Sequence, residues 1–133
     1  MPSTTTVAPL FLTQAAAPHL RATRGAVVNI TDIHAERPLA AYPLYCAAKA
    51  GLLGLTRALA IELAPEVRVN AVAPGYIDTK MNAHLSEDEK KALCEEIPLG
   101  RAGTPAEVAA GVRFLAESPY ITGETLVISG GWR

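Results

Sequence analysis

Two short runs of apolar, largely β-branched residues, Gly-Ala-Val-Val-Asn-Ile-Thr at 25–31 and Val-Arg-Val-Asn-Ala-Val-Ala at 67–73, flank one long helical pattern, residues 42–64, that Pro65 closes. This order constrains the fold more than any other feature. Antiparallel neighbours can be joined by a tight turn, whereas strands joined through a helix pair in parallel by a right-handed crossover. A third run, Glu-Thr-Leu-Val-Ile-Ser at 124–129, follows two further helical patterns. Both earlier runs are mostly apolar on either face, as buried parallel strands are.

Local signals place the helices. Val-Ala-Pro-Leu-Phe-Leu-Thr-Gln-Ala-Ala-Ala-Pro-His-Leu-Arg, 7–21, is expected to be helical, with Thr5 or Thr6 as cap, Pro9 tolerated only near the first turn and Pro18 marking the end. Ser86 and Glu89, and again Thr104 and Glu107, have capping-box spacing, and Pro105 suits a first helical position. Residues 74–85 are expected to form a loop. The element order predicts an α/β class with helices on both sides of a parallel sheet.

Half of the 133 residues are hydrophobic, enough for one domain with a core. The formal net charge is −1 with no basic stripe, which argues against a nucleic-acid partner. Cys46 and Cys94 lie far apart in unlike contexts, so neither a disulfide nor a zinc site is expected, and a reducing cytoplasm fits. His19 and His84 have no ligand set around them, and no metal is expected. No bilayer-spanning run and no secretory leader is expected.

In the long helical pattern, Tyr45, Lys49, Leu52, Thr56, Leu59 and Leu63 share one face. The opposite face holds Ala47, Ala50, Gly54 and Ile61, with Arg57 its only charge. A solvent-facing surface would carry a charged stripe there. Small residues instead predict close approach of another helix, and we expect a homo-oligomer contact through 42–64.

Tyr45 and Lys49 lie one helical turn apart, so their side chains are neighbours. A free phenol, with a pKa of about 10, is a poor acid–base group at neutral pH. A nearby ammonium is expected to favour the phenolate and lower that value. By spacing alone an ordinary amphipathic couple is the favoured reading, because the pattern is short and common.

Its surroundings change the weighing. The tyrosine follows a strand ending Asn-Ile-Thr-Asp, 29–32. Pro-Gly-Tyr-Ile-Asp-Thr, 74–79, follows the next strand, and Gly-Glu-Thr-Leu-Val-Ile-Ser-Gly-Gly, 123–131, closes the chain. Together these motifs resemble the short-chain dehydrogenase/reductase family, from about residue 7 onward. The resemblance implies the C-terminal half of a doubly wound, Rossmann-like sheet, with NADPH as the cofactor of the complete enzyme. It implies Tyr45 as general acid and Lys49 as its partner and ribose ligand. Pro74-Gly75 would flank the nicotinamide, Ile77 would offer backbone groups to the carboxamide, and Thr79 a hydroxyl to the cofactor. Asn29 would be structural, Gly130-Gly131 would pack near an oligomer interface, and 80–97 would be the variable substrate lid.

Asp32 departs from the serine that most members carry. At this spacing it resembles the pteridine reductase subgroup, including dihydromonapterin reductase-like enzymes. That implies reduction of dihydropterins or dihydrofolate, with Asp32 and Tyr45 as proton donors to ring nitrogens. A carboxylic acid can donate such a proton when burial raises its pKa. The plainer alternative is that Asp32 caps a turn. Substrate-pocket residues would be Asp32, His34, Tyr45 and Met81. Alternatives are a carbonyl reductase of 3-oxoacyl type, and a remnant that acts only in oligomerisation.

None of the ten glycines forms G-x-x-x-G-x-G or G-x-G-x-x-G, the turns that receive a pyrophosphate at a helix N-terminus. The helix asparagine of the family's proton relay aligns with Thr5. The 133 residues are therefore expected to form a single partial domain, the catalytic and lid half without its dinucleotide-binding half.

Overall fold

The computed structural model describes residues 2–132. Four helices and three strands follow one another as α1 (Pro2–Thr23), β1 (Ala26–Ile30), α2 (Pro43–Leu63), β2 (Arg68–Pro74), α3 (Glu87–Glu96), α4 (Pro105–Glu117) and β3 (Thr125–Ile128). Short 3-10 turns occupy Ile33–Ala35 and Lys80–Asn82.

The strands pair in parallel in the order β1-β2-β3, with Val27 beside Val69 and Val72 beside Leu126. The pleat divides the sheet into two faces. Val27 and Val69 pack with Ala17 and Leu20 of α1 and Ala60 and Leu63 of α2. On the other face Gly111 of α4 lies against Leu126 and Ile128. Helices thus flank a parallel sheet on both sides, as the alternation of elements predicts. β2 is buried through its middle, and Val67, Val69, Val72, Asn70 and Thr56 are the most deeply enclosed side chains.

The first helix differs from its prediction. It begins at Pro2, passes through both Pro9 and Pro18, and ends at Thr23. Each proline removes one backbone donor. The remaining ladder is backed by packing on α2, where Thr6 Oγ1 donates to Ala48 O at 3.0 Å and a Cβ at Gly51 would touch Thr6. The stop is supplied later. Arg24 takes a left-handed φ of 51°, Gly25 N donates to Leu20 O at 2.9 Å, and Arg24 N donates to Arg21 O at 3.4 Å. This is a Schellman ending with arginine in place of the usual glycine.

Helix α2 starts with Pro43 in its first turn and buries Cys46, Ala48, Leu52, Leu53, Thr56, Ala60 and Leu63. Contrary to the sequence expectation, its length and hydropathy suffice for a bilayer span. Its buried face belongs to the sheet, and Lys49, Arg57 and Glu62 interrupt the rest. Within the chain α1 packs on α2 at Gly51, which is not the face on which close helix approach is expected. Ala47, Ala50, Gly54 and Ile61 stay exposed. Both expected capping boxes form, at Ser86–Glu89 and Thr104–Glu107.

Candidate active site

The C-terminal end of β1 and the first turns of α2 meet at one cleft. Asn29, inside the sheet, anchors this junction: its Nδ2 donates to Thr56 Oγ1 at 3.0 Å, and Thr56 Oγ1 donates to Leu52 O at 2.8 Å. β1 and α2 are thereby held in fixed register, and with them Asp32, Tyr45 and Lys49.

The cleft encloses about 420 Å³. Asp32, Tyr45, Lys49, Pro74, Gly75, Ile77, Thr79 and Met81 all line it, so residues far apart in sequence converge as the motifs predict. Asn82, Pro105 and Val108 also line it, unforeseen from the sequence. His34 is not brought into the cleft. Its Nδ1 lies 2.9 Å from Arg37 O and its ring stands edge-on to Trp132, which turns it away from the position expected of a substrate contact. A larger recess of about 470 Å³ shares Thr31 and Asp32 with the cleft but lies beside Leu53, Arg57 and Val127, without Tyr45 or Lys49. The acid–base groups therefore locate the chemistry in the smaller cleft.

Tyr45 Oη donates to Asp32 Oδ2 at 2.6 Å. Asp32 Oδ1 accepts from His34 N at 2.8 Å and caps the 3-10 turn at Ile33–Ala35. The carboxylate thus caps the turn, the plainer role weighed for it, and also accepts from the tyrosine. Lys49 Nζ donates to Ile30 O at 3.2 Å and lies 5.9 Å from the Tyr45 ring centroid.

The electrostatics run against the sequence expectation. Burial pushes the Tyr45 phenol well above its ordinary range, and the hydrogen bond to Asp32, the Asp32 charge and nearby Cys46 push the same way. Burial lowers the Lys49 ammonium, partly opposed by the charge of Asp32. Burial first, and the Asp32 carboxylate after it, set the phenol and favour its protonated form over the phenolate. In this arrangement the phenol is the group carrying a transferable proton, and both carboxylate oxygens accept.

The donor set fits the nicotinamide end of a dinucleotide. Lys49 projects an ammonium into the cleft. Thr79 caps the Lys80–Asn82 turn without a side-chain capping bond, leaving its hydroxyl available to the cleft. Ile77 O accepts from Asn82 Nδ2 at 2.7 Å, so the N–H is the group Ile77 has to offer. Among the described residues no cluster of His, Cys, Asp or Glu could hold a metal ion.

Sequence reasoning missed the residues that tie the end of α4 and the turn before β3 to the sheet. Arg68 donates to three carbonyls at the end of α4, Leu115 O at 2.8 Å, Ala116 O at 2.8 Å and Ser118 O at 2.7 Å. Buried Asn70 donates to Ile121 O and accepts from Glu124 N, fixing the turn before β3. Single side chains with distant partners leave no periodic trace in a sequence.

Comparison with known proteins agrees with this geometry. The family described as enoyl-(acyl carrier protein) reductase matches residues 3–133. Carbonyl reductase family member 4 of Danio rerio is 52% identical over 108 residues, 80% of this chain and 44% of its own length. The 3-oxoacyl-[acyl-carrier-protein] reductase FabG of Chlamydia muridarum is 44% identical over 117 residues, 86% of this chain and 47% of its own. An apo SCOR enzyme from Clostridium thermocellum superposes with a TM-score of 0.88 at 34% identity, covering 98% of this chain and 51% of that one. ElxO with NADP bound superposes with a TM-score of 0.83 at 32% identity, covering 92% and 52%. The chain therefore spans about half the length of the proteins it matches. None of these names refers to a pteridine. With its parallel sheet, its Tyr45–Lys49 pair and a family match along nearly its whole length, this chain belongs to the short-chain dehydrogenase/reductase family.

Proposed function

We propose that this chain supplies the proton-delivering and substrate-facing part of an NADPH-dependent carbonyl reduction of the 3-oxoacyl or carbonyl reductase type. The observation that carries the reading is the Tyr45 hydroxyl, 2.6 Å from Asp32 Oδ2, in a cleft also lined by Lys49, Pro74, Gly75 and Thr79. Its similarity to carbonyl and 3-oxoacyl reductases supports this substrate class over a pterin. NADPH, when bound, supplies the hydride. Lys49 and Thr79 would hold its ribose and nicotinamide end, and Ile77 N–H its carboxamide. Tyr45 gives its proton to the oxygen that gains charge as the carbonyl is reduced. Met81 and the Lys80–Asn82 turn cover the substrate side.

One observation favours a second reading. An ionised Asp32 repels a carbonyl oxygen gaining negative charge, but it accepts from ring N–H groups and stabilises a protonated C=N bond. A dihydropterin offers both. Fusing the dinucleotide-binding half of a full-length carbonyl reductase ahead of residue 3 gives an enzyme that can be assayed. Turnover of an acetoacetyl thioester with NADPH, increased by Asp32→Ser, supports the carbonyl reading. Turnover of dihydropterin alone, abolished by Asp32→Ser, overturns it in favour of the second.

We also propose a second copy of this chain as the occupant of the uncovered helix surface. Phe11 and Leu12 on α1, at 60% and 73% exposed, and Ile61 on α2, at 83%, leave apolar side chains uncovered, and the small residues Ala47 and Gly54 of α2 are exposed as well. Apolar exposure on that scale is a feature of association surfaces.

A further inference from the structure

The double glycine after β3 has a geometric task. Gly130 and Gly131 both have positive φ, 64° and 89°, and Trp132 N donates to Ser129 O at 3.1 Å, so the chain turns back at this point. The turn is pinned against the loop after α3. Leu99 N donates to Gly130 O at 3.1 Å, a Cβ on Gly130 would meet Ile97 at 2.9 Å, and one on Gly131 would meet Pro98 at 3.0 Å. Only glycine meets both demands, a left-handed backbone and no side chain.

What the turn delivers is the single tryptophan of the chain. Trp132 stands edge-on to His34, with centroids 5.8 Å apart and planes at 86°. The imidazole is fixed on its other side by Nδ1, which donates to Arg37 O because a carbonyl only accepts. The backbone N–H of His34 donates to Asp32 Oδ1, and Asp32 Oδ2 accepts from Tyr45. A continuous line of contacts therefore joins the C-terminal turn to the phenol. Its middle member is the Ile33–Ala35 turn, a single 3-10 turn closed by Ala35 N on Asp32 O and Glu36 N on Ile33 O.

We propose that Trp132 is a positioning residue for the proton-delivering pair: by packing on the His34 ring it fixes the Ile33–Ala35 turn and so aims the Asp32 carboxylate at Tyr45. The inference rests on the Tyr45–Asp32 geometry and not on the identity of the substrate, and its test needs neither cofactor nor substrate. Its failure is therefore distinct from failure of the proposed function.

The readout is phenolate absorbance in the first milliseconds after a rapid jump to about pH 11, where an ordinary phenol ionises and unfolding has not begun. The Tyr45 share is the difference between each chain and the same chain carrying Tyr45→Phe. In the wild type that share is expected to be absent. Trp132→Ala and His34→Ala are each expected to make it appear as one additional phenolate. Trp132→Phe, which restores an aromatic ring, is expected to keep it absent. Circular dichroism before the jump confirms folding, and His34→Ala decides the matter should Trp132→Ala not fold. The proposal is overturned if Tyr45 stays silent in the folded alanine variants, if it already ionises in the wild type, or if Trp132→Phe behaves like Trp132→Ala. A purely structural tryptophan would lower the melting temperature without moving this signal.

Discussion

Tyr45 Oη donates to Asp32 Oδ2 across 2.6 Å, and burial together with this contact favours the protonated phenol. The folded pKa is raised above the unfolded value of about 10, so the contribution to stability is fully present below about pH 10 and declines as pH rises through the folded value. Melting temperatures of the wild type and Tyr45→Phe are therefore expected to differ at neutral pH and to converge on the alkaline side. A gap that widens with pH would contradict the assignment. In the fused reductase, Tyr45→Phe is expected to lower turnover by about 10²–10⁴-fold, the usual worth of a positioned proton donor.

Glu107 gives the opposite sign. The bidentate hydrogen bond from Arg101 and then the Thr104 backbone N–H hold its carboxyl down to about 2. Its stabilising effect is present above the unfolded carboxylate range of about 4.3 and is lost as pH falls through the folded value. The protection of first-turn amides of α4 relative to their intrinsic exchange rate should fall below about pH 4 in the wild type. In Glu107→Gln it should be low already at neutral pH. Equal protection in the two proteins at neutral pH would refute the role.

Arg68→Ala should destabilise the chain by roughly 2–3 kcal/mol, because it leaves three carbonyls at the α4 terminus without their charged donor. Arg68→Lys should recover only part of this, since a single ammonium cannot reproduce the planar fork. Urea denaturation measures both, and full recovery by lysine would show that charge alone suffices.

Much of the fold was legible because it is written locally. The capping boxes at Ser86 and Thr104, the strand runs and the Tyr45–Lys49 spacing each depend on residues within a few positions of one another. The full extent of α1 was not legible, because its continuation through Pro9 and Pro18 accompanies packing on α2. The convergence of Asp32, Tyr45, Pro74, Gly75 and Thr79 followed from motif order. The state of the phenol did not. Spacing shows that Lys49 is near Tyr45, but not that burial and Asp32 outweigh it. His34 shows the same limit: nothing local shows that its ring stands edge-on to Trp132, at the far end of the sequence.

Gly75→Ala tests the floor of the cleft. A Cβ there would lie 2.8 Å from Ser129 Cβ and 3.0 Å from Ser129 Cα, and backbone cannot yield as a flexible side chain can. Overpacking of this kind costs about 1–3 kcal/mol. Chemical denaturation should show that loss, and an unchanged midpoint would mean that the two strand ends separate freely.

Ile61→Glu with Phe11→Glu should shift sedimentation of a self-associated chain towards the monomer while preserving its circular dichroism. An unchanged sedimentation profile would remove this helix surface from consideration as the contact between copies.

The bridge between Ile77 and Gly103 has a consequence for how such a protein can diversify. Asp78 N donates to Gly103 O and Gly103 N donates to Tyr76 O, each at 2.9 Å, so the polypeptide leaves the catalytic framework and re-enters it at one clasp. Residues 83–96 form a cassette hung between that clasp and the contact of Leu99 N with Gly130 O. Their sequence, and even their length, can drift without displacing Tyr45 or Lys49, so new specificities can be tried while the acid–base chemistry is inherited intact.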